Sequence, residues 1–200
     1  MKKTIVVASG NKGKVKEITE MFNNYKVISL KEIEEVLGRK IEVNEDKNSF
    51  KDNALQKVVE LSKQLGEGYI CIGDDSGISI DALDGFPGLH TARWMDADDH
   101  TKNLALLEKM AGIKKERRTC HYTTAIAIAD ANISNCCEYV LDGYISEQCR
   151  GENGFGFDEI FELENGKTLA ELSSEEKYQI SPRKKALEKI YNIILKNKMF

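Results

Sequence analysis

Apolar residues recur along this chain with two different periods, which together predict a protein containing both strands and helices. Strands are predicted where β-branched residues cluster or alternate with polar ones, and helices where apolar residues fall three or four positions apart. No internal repeat or flexible linker is evident, so any second lobe is expected to extend the same mixed sheet. The predicted strands are residues 4–8, 27–30, 70–72, 118–129 and 136–145, the last two forming a hairpin. The predicted helices are residues 15–22, 49–65, 98–110 and a terminal helix from 182.

Two adjacent carboxylates, Asp74 and Asp75, follow the apolar run 70–72, and they are predicted to end a buried strand. Because side chains alternate along a strand, the two carboxylates are expected to point in different directions. Carboxylates that are crowded and partly desolvated favour a nearby cation, so a divalent metal is one hypothesis. A polar hairpin turn is an equally good interpretation, since Asp, Ser and Gly are common turn formers.

The first predicted strand is joined to the first predicted helix by a loop with candidate chemistry. Glycines let a backbone approach a ligand closely, and the start of a helix presents N–H groups to an anion. The loop matches neither the Walker A pattern nor GxGxxG, and a plain strand-to-helix connection is the commoner interpretation of so short a motif. The loop residues are Ser9, Gly10, Asn11, Lys12, Gly13 and Lys14.

Lys57 lies beside the apolar stripe of the helix predicted at 49–65, where Ser49 is the expected N-cap. The ordinary interpretation of such a lysine is a stem lying on apolar surface with its head in water.

A second unusual stretch, residues 151–161, interleaves glycines with Phe155 and Phe157 ahead of Asp158. Flat aromatic faces on a pliable backbone suit stacking on a base or ring. The alternative is a strand kinked by glycine whose phenylalanines enter the core.

Near the terminal helix, Lys177 and Arg183 are two further candidate cations, although a solvated charge is the usual role of such residues. Pro182 suits the first turn of that helix, with Ser181 as its cap.

Composition narrows the class of protein. A chain of 200 residues suits one large or two-lobed domain, and its net charge of −4 argues against a general nucleic-acid binder. Five cysteines without CxxC spacing predict neither a zinc site nor a disulfide framework, which favours a reducing cytosol. No stretch approaches the ~20 apolar residues of a membrane span, so we expect a cytoplasmic protein without a membrane anchor.

The order of these motifs resembles that of the inosine triphosphate pyrophosphatase family, which is also called Ham1-like. The bacterial members of this family are called XTP/dITP pyrophosphatases. The resemblance covers almost the whole chain and implies a single domain that spans residues 1–200. The residues that carry it are 9–14, Glu45, Ser49-Phe50, Asn53-Ala54, Lys57, 74–77, 85–88, 154–158, Lys177 and Arg183.

The resemblance implies an α/β protein with an elongated mixed β-sheet flanked by helices, two lobes with a central cleft, and usually a homodimer. It implies hydrolysis of ITP, dITP and XTP to the monophosphate and pyrophosphate with Mg²⁺ as cofactor. The expected partner is therefore a small purine nucleoside triphosphate rather than a nucleic acid or a membrane.

The resemblance also assigns roles by position. Residues 9–14 would hold the triphosphate, with further positive charge from Lys57, and Ser76 would contact substrate. Glu45 and Asp75 would ligate the metal, and Asp75 would also accept the proton of the attacking water. The purine would contact Phe155, Gly156, Phe157, Asp158, Lys177, Arg183 and Pro182, which stands where the family usually has histidine.

Two other classes stay open at this point. A nucleotide-binding protein without catalysis would not need Glu45, Asp74 and Asp75 together. A Maf-like pyrophosphatase of other modified nucleotides would share the first loop, but it should lack the stretch 155–158 and the pair of Lys177 and Arg183.

Overall fold

The computed structural model describes residues 3–197, so residues 1–2 and 198–200 of the predicted domain lie outside the described residues. The strands are β1 Thr4–Val7, β2 Val27–Ser29, β3 Tyr69–Ile80, β4 Thr119–Ala129, β5 Ser134–Ile145 and β6 Phe161–Glu162. The helices are α1 Lys12–Met21, α2 Leu30–Leu37, α3 Phe50–Leu65, α4 Asp99–Lys109, α5 Ser174–Ile180 and α6 Pro182–Lys196.

Within the described residues, six strands form one sheet in the order β2-β1-β3-β4-β5-β6. β1 pairs in parallel with both β2 and β3, whereas β5 and β6 are antiparallel. β4 and β5 are hydrogen-bonded neighbours joined by a short turn closed by Asp130 N donating to Ile133 O, so they form the predicted hairpin. The mixed α/β class is therefore confirmed.

The described chain divides into two compact units. The first contains the described residues up to Asp75, residues 124–139 and those from Lys185 onward, and the second contains residues 76–123 and 140–184. In the first unit, α1 and α6 contribute to one apolar cluster while α2 and α3 contribute to another. Neighbouring β1 residues enter different clusters, as strand alternation requires, because Ile5 joins one and Val6 the other.

The second unit has an apolar core of its own. It includes Leu106 and Met110 at the end of α4, together with Ile78 and Ile80 from β3. Each unit therefore has the buried apolar surface that holds its polar clusters in place.

One sequence prediction is wrong, and one helix was not predicted. β3 is one strand of 12 residues that continues through Asp74 and Asp75, so neither the predicted interruption nor the alternative hairpin turn occurs. The acidic stretch after β2 was not predicted as a helix, yet α2 spans Leu30–Leu37 with Ser29 and Glu32 forming a capping box.

The helix α3 packs closely on β3 at Gly73. An added Cβ at Gly73 would stand 2.7 Å from Val58 Cγ1 and 3.3 Å from the Ala54 carbonyl oxygen. The absent side chain lets α3 approach the strand, and α3 carries Lys57 into the site. Ser49 caps this helix as predicted, its Oγ accepting from Asp52 N at 3.0 Å.

The described residues contain no helix that is both long and apolar enough to span a membrane. The five cysteines are all unpaired.

Candidate active site

The loop between β1 and α1 is built around Asn11, the N-cap of α1. Asn11 Oδ1 accepts from Gly13 N at 2.9 Å and from Lys14 N at 3.2 Å, and Asn11 N donates to Ser9 Oγ at 3.2 Å. These bonds already satisfy the N–H groups of Gly13 and Lys14, which the sequence predicted to be available to an anion. Gly10 and Lys12 of the same loop are exposed.

Lys14 and Lys57 each hold a carboxylate of the first unit. The ammonium of Lys14 forms an ion pair with Asp74, which is 1% exposed. Lys57 forms an ion pair with Glu45 and donates to the Asp74 carbonyl oxygen at 3.1 Å. Lys57 is 5% exposed, so the ordinary interpretation of a lysine head in water is wrong.

Asp75 lies among the same charges with part of its hydrogen-bonding capacity unused. Its Oδ2 is buried and has no hydrogen-bond partner within the described residues. Burial raises the pKa of the Asp75 carboxyl above its ordinary value. Attraction to Lys57, a hydrogen bond from the Asn53 side chain and attraction to Lys14 oppose that rise in pKa, while the charge of Glu45 adds to it.

The oxygen donors of this cluster fit a hard divalent cation. Mg²⁺ is usually bound in proteins by one or two carboxylates together with substrate phosphates and water. Glu45 and Asp75 offer two carboxylates, and the unpartnered Oδ2 of Asp75 is a buried oxygen that a cation would stabilise. The residues present therefore fit Mg²⁺ without any soft ligand.

In the second unit, Asp158 organises the stretch predicted to hold the purine. It is 4% exposed, and its Oδ2 accepts from Phe155 N at 2.7 Å and from Lys177 Nζ at 2.5 Å. Burial raises the pKa of Asp158, although Lys177, the Phe155 N–H and Arg183 all favour its charged form. Gly154 must be glycine, because its φ is +86° and a Cβ would collide with the Asp158 carboxylate.

Two cations lie over the ring of Phe155. Lys177 Nζ is 4.8 Å from the ring centroid and Arg183 Cζ is 5.7 Å from it, which are cation–π distances. Arg183 is 4% exposed and donates to Ser76 Oγ at 3.4 Å, so the interpretation of this arginine as a solvated charge is wrong. Pro182 is the first residue of α6, where a missing N–H costs little, as predicted.

The two phenylalanines of this stretch differ in their surroundings. The stretch is irregular rather than a kinked strand, and Phe157 packs against the apolar core of the second unit. The core interpretation is therefore correct for Phe157, whereas Phe155 has the two cations at its ring.

Some residues of the two clusters were given no role from the sequence. Asn53, which is among the residues that carry the family resemblance, is 1% exposed and joins Asp75, and its position one turn before Lys57 on α3 was a usable signal. Asp99 and Asn103 bind the backbone of Gly156, with Gly156 N donating to Asp99 Oδ2 at 2.8 Å and Asn103 Nδ2 to Gly156 O at 2.9 Å. No sequence signal linked α4 to a segment more than fifty residues away.

The mixed sheet and its helices place the chain in the class of α/β proteins. The lysines and carboxylates beside β1 and β3 in one unit suit a charged ligand group, and the cations bordering an aromatic ring in the other suit a flat ring. More particularly, the chain belongs to the Ham1 family, whose family model matches residues 5–193. This match confirms the resemblance inferred from the sequence.

Individual relatives agree with the family match. The chain is 40% identical over 197 residues to the dITP/XTP pyrophosphatase of Caldanaerobacter subterraneus subsp. tengcongensis, covering 96% of both chains. It is 41% identical over 194 residues to the dITP/XTP pyrophosphatase of Geobacillus kaustophilus, covering 94% of this chain and 92% of the relative. The solved structure of the Staphylococcus aureus Ham1 protein superimposes with a TM-score of 0.84 at 32% identity, covering 98% of this chain and all of that one.

Proposed function

We propose that this protein is a nucleoside triphosphate diphosphatase that hydrolyses dITP, XTP and ITP to the monophosphate and pyrophosphate. The relatives named dITP/XTP pyrophosphatase support the substrate class. The single observation that carries the chemistry is Asp75, a carboxylate with one buried, unpartnered oxygen and a raised pKa, influenced by two lysines and Glu45.

Glu45 and Asp75 would hold Mg²⁺, together with phosphate oxygens of the substrate. Mg²⁺, when bound, supplies neutralisation of charge on the phosphoryl oxygens. Both of these ligands are carboxylate oxygens, which supports a hard ion.

The protein's own contribution to phosphoryl transfer is positioning and electrostatic stabilisation. Asp75 orients the attacking water and takes its proton at the carboxylate, a role suited to a pKa raised toward the working pH. Lys14 and Lys57, which already pair with carboxylates, add positive charge where about four negative charges of a triphosphate are to be accommodated. The remaining residues of the loop, Ser9 to Gly13, lie along the triphosphate and donate hydrogen bonds to it from backbone and side-chain groups.

Residues of the second unit would recognise the purine. Phe155 offers an aromatic face, while Asp158 fixes that segment and holds Lys177 in position. Lys177 and Arg183 donate to the 6-keto oxygen. The 6-amino group of adenine would leave those donors unpaired, which is costly in a buried site. Ser76 holds Arg183, Gly156 lets the segment turn at φ +66°, and Pro182 begins the helix that carries the arginine.

Residues 1–200 are proposed to act as one two-lobed domain that forms a homodimer in the cytoplasm and binds no nucleic acid. The family match over 5–193 and the strand β3, which has residues in both units, support a single domain. The five unpaired thiols support the reducing cytoplasm. The net charge of −4 also disfavours nucleic acid.

A substrate panel tests this proposal. Purified protein with Mg²⁺ is given ITP, dITP, XTP, ATP, GTP and dUTP, and pyrophosphate and orthophosphate are measured separately. We expect pyrophosphate from the first three at a kcat/KM well above that for ATP. Asp75→Asn should lower kcat about 10²-fold or more with nucleotide binding retained, while Asp81→Asn, an exposed acid just after the same strand, should not. Preference for dUTP, release of orthophosphate, or an unchanged kcat in Asp75→Asn would contradict it.

A further inference from the structure

A histidine, a cysteine and a glutamate that the proposed reaction does not use meet in the second unit. One potential ligand atom from each of His100, Cys149 and Glu159 lies within 4.8 Å of the other two. An imidazole nitrogen of His100, Nδ1, is 2.8 Å from Glu159 Oε2. Cys149 and Glu159 are half-buried and His100 is exposed, so the group can be reached from solvent.

The three residues come from segments that are fixed by bonds of their own. His100 lies in the first turn of α4, and Asn103, one turn later and fully buried, donates to Glu159 Oε2 at 3.2 Å. The backbone next to Cys149 is joined to Glu159, because Arg150 N donates to Glu159 O at 2.9 Å. A second contact that orients a ligating carboxylate in this way is typical of metal sites.

The donor set selects the kind of ion. Imidazole nitrogen, thiolate sulfur and carboxylate oxygen are together the ligands of Zn²⁺ and similar borderline-soft ions, whereas Mg²⁺ takes oxygen donors. Ligand atoms in a tetrahedral zinc site stand roughly 3.3–3.8 Å apart, given bonds of about 2.0–2.3 Å. Atoms already within 4.8 Å of one another need only side-chain adjustments to reach that spacing.

We propose that His100, Cys149 and Glu159 form a binding site for Zn²⁺ or an ion of the same class, with three protein ligands and one open position. The site differs in chemistry from the carboxylate cluster at Glu45 and Asp75. It borders the purine segment, because Glu159 directly follows Asp158 and because Asn103 bonds to both Glu159 and Gly156.

Binding releases a proton. The Cys149 thiol gives up its hydrogen to solvent, and the sulfur bonds to the metal as thiolate. An ordinary cysteine thiol, with a pKa of ~8.5, is mostly protonated near neutral pH, so a metal that binds the sulfur must displace a proton.

Cobalt is the probe, because Co²⁺ replaces Zn²⁺ and a thiolate–cobalt bond absorbs in the near ultraviolet. The full-length protein, reduced and held in excess Mg²⁺, is titrated with Co²⁺ and then with Zn²⁺. We expect a sulfur-to-cobalt band that saturates at one ion per chain, disappears when Zn²⁺ is added, and is accompanied by release of one proton. No nucleotide is present, so the result is independent of the proposed hydrolysis.

Variants assign the ligands. Cys149→Ser should abolish the band, and His100→Ala and Glu159→Gln should each weaken Co²⁺ binding at least about tenfold.

Two matched controls should bind Co²⁺ as wild type does. Cys137→Ser removes another half-buried thiol, and His90→Asn removes another exposed histidine. Circular dichroism confirms that each variant is folded. Lack of a saturable band in wild type, a band that persists in Cys149→Ser, or equal loss in Cys137→Ser would overturn the proposal.

Discussion

Asp75 is a carboxylate whose burial is unfavourable for folding. Its pKa lies above the ordinary value because it is buried, even though Lys57, Asn53 and Lys14 favour the charged form. A raised carboxyl pKa means that the ionised form is less stable in the folded protein than in the unfolded chain. At Asp75, stability is therefore lost, and one buried oxygen is left without a hydrogen-bond partner among the described residues.

Replacing Asp75 should stabilise the protein at neutral pH. Since the folded pKa lies above the unfolded one, the unfavourable contribution is absent below the unfolded pKa of ~3.9 and is complete above the folded pKa. Asp75→Asn, which cannot ionise, is expected to melt at a higher temperature than wild type near pH 7 without metal. That difference should shrink steadily toward pH 4, as followed by thermal unfolding in a chelating buffer.

Asp130 supplies a control of opposite sign. Burial raises its pKa, but hydrogen bonds from Lys3, Asn132 N and Ile133 N outweigh burial and lower the pKa overall. Asp130→Asn should therefore be less stable than wild type at neutral pH, with the difference fading in acid. A lower melting temperature for Asp75→Asn at neutral pH would contradict the account of Asp75.

Lys177 should carry part of the purine selectivity. Lys177→Met keeps the length of the stem but removes the donor, so the preference for ITP over ATP is expected to fall at least about tenfold. The ratio of kcat/KM for the two substrates measures the change. Lys184→Met is the matched control, since Lys184 lies over Tyr178 at 4.1 Å rather than over Phe155. An unaltered ratio in Lys177→Met would remove this lysine from base recognition.

Several single-residue placements could be predicted from the sequence and others could not. The helical stripe that places Lys57 beside the buried face of α3 was visible, but its ammonium pairs with Glu45 from an irregular segment with no period to follow. The same limit applies to His100, Cys149 and Glu159, which lie in three separate stretches and form no ligand spacing along the chain. Side chains that meet only through the tertiary fold leave no local pattern.

At the scale of elements, α1 and α3 both begin with a side-chain N-cap, but the two caps lie in different parts of the molecule. Asn11 caps α1 and Ser49 caps α3, each accepting N–H groups of the first turn. The cap of α1 lies inside the loop proposed to bind the triphosphate, whereas the cap of α3 has a structural role only. Comparing variants of the two caps separates the effect of losing a cap on stability from its effect on substrate binding.

Asn11→Ala and Ser49→Ala should each lower the free energy of unfolding by about 1 kcal/mol. Only Asn11→Ala should also raise KM for ITP, because Gly13 N and Lys14 N lose the acceptor that holds the loop in shape. Urea unfolding and steady-state kinetics on both variants measure the two effects. Equal KM values in the two variants would mean that the loop geometry does not depend on its cap.

Element prediction succeeded where period and capping signals agreed. α3, α4 and the start of α6 were placed within a residue: Ser49 is the N-cap of α3 and Pro182 the first residue of α6, and the apolar period placed α4. β3 was mispredicted because two carboxylates look like a turn, whereas burial of Asp74 against Lys14 keeps the strand continuous. α2 was missed because it is short and, among its own residues, fully buries only Ile33.

At the scale of the whole molecule, each unit has its own apolar core and its own polar cluster. The carboxylate and lysine cluster belongs to the first unit, and the Phe155 cluster to the second. The α/β class and the order of motifs could be predicted from the sequence, because they follow from periods and from positions along the chain. Two lobes were expected from the sequence, but the boundaries of the two units could not be predicted, since β3, β4 and β5 each contribute residues to both.

Binding of Mg²⁺ should stabilise the whole molecule through the first unit. An ion at ten times its Kd adds about 1.4 kcal/mol to the free energy of unfolding, which corresponds to a rise of roughly 3–6 °C in Tm for a chain of this size. We expect that rise in wild type and its loss in Glu45→Gln and Asp75→Asn, measured by thermal unfolding without nucleotide. Glu42→Gln, an exposed acid in the same segment, should respond as wild type. An equal rise in Glu45→Gln would place the ion elsewhere.

Gly73 limits how far the sequence of β3 and the facing side of α3 can vary. With Val58 and the Ala54 carbonyl oxygen closing the space above it, even a methyl group would have to push α3 outward. Lys57 would move with the helix, and its reach to the Asp74 carbonyl oxygen would lengthen. Anyone diversifying this enzyme to accept new nucleotides should therefore keep codon 73 fixed.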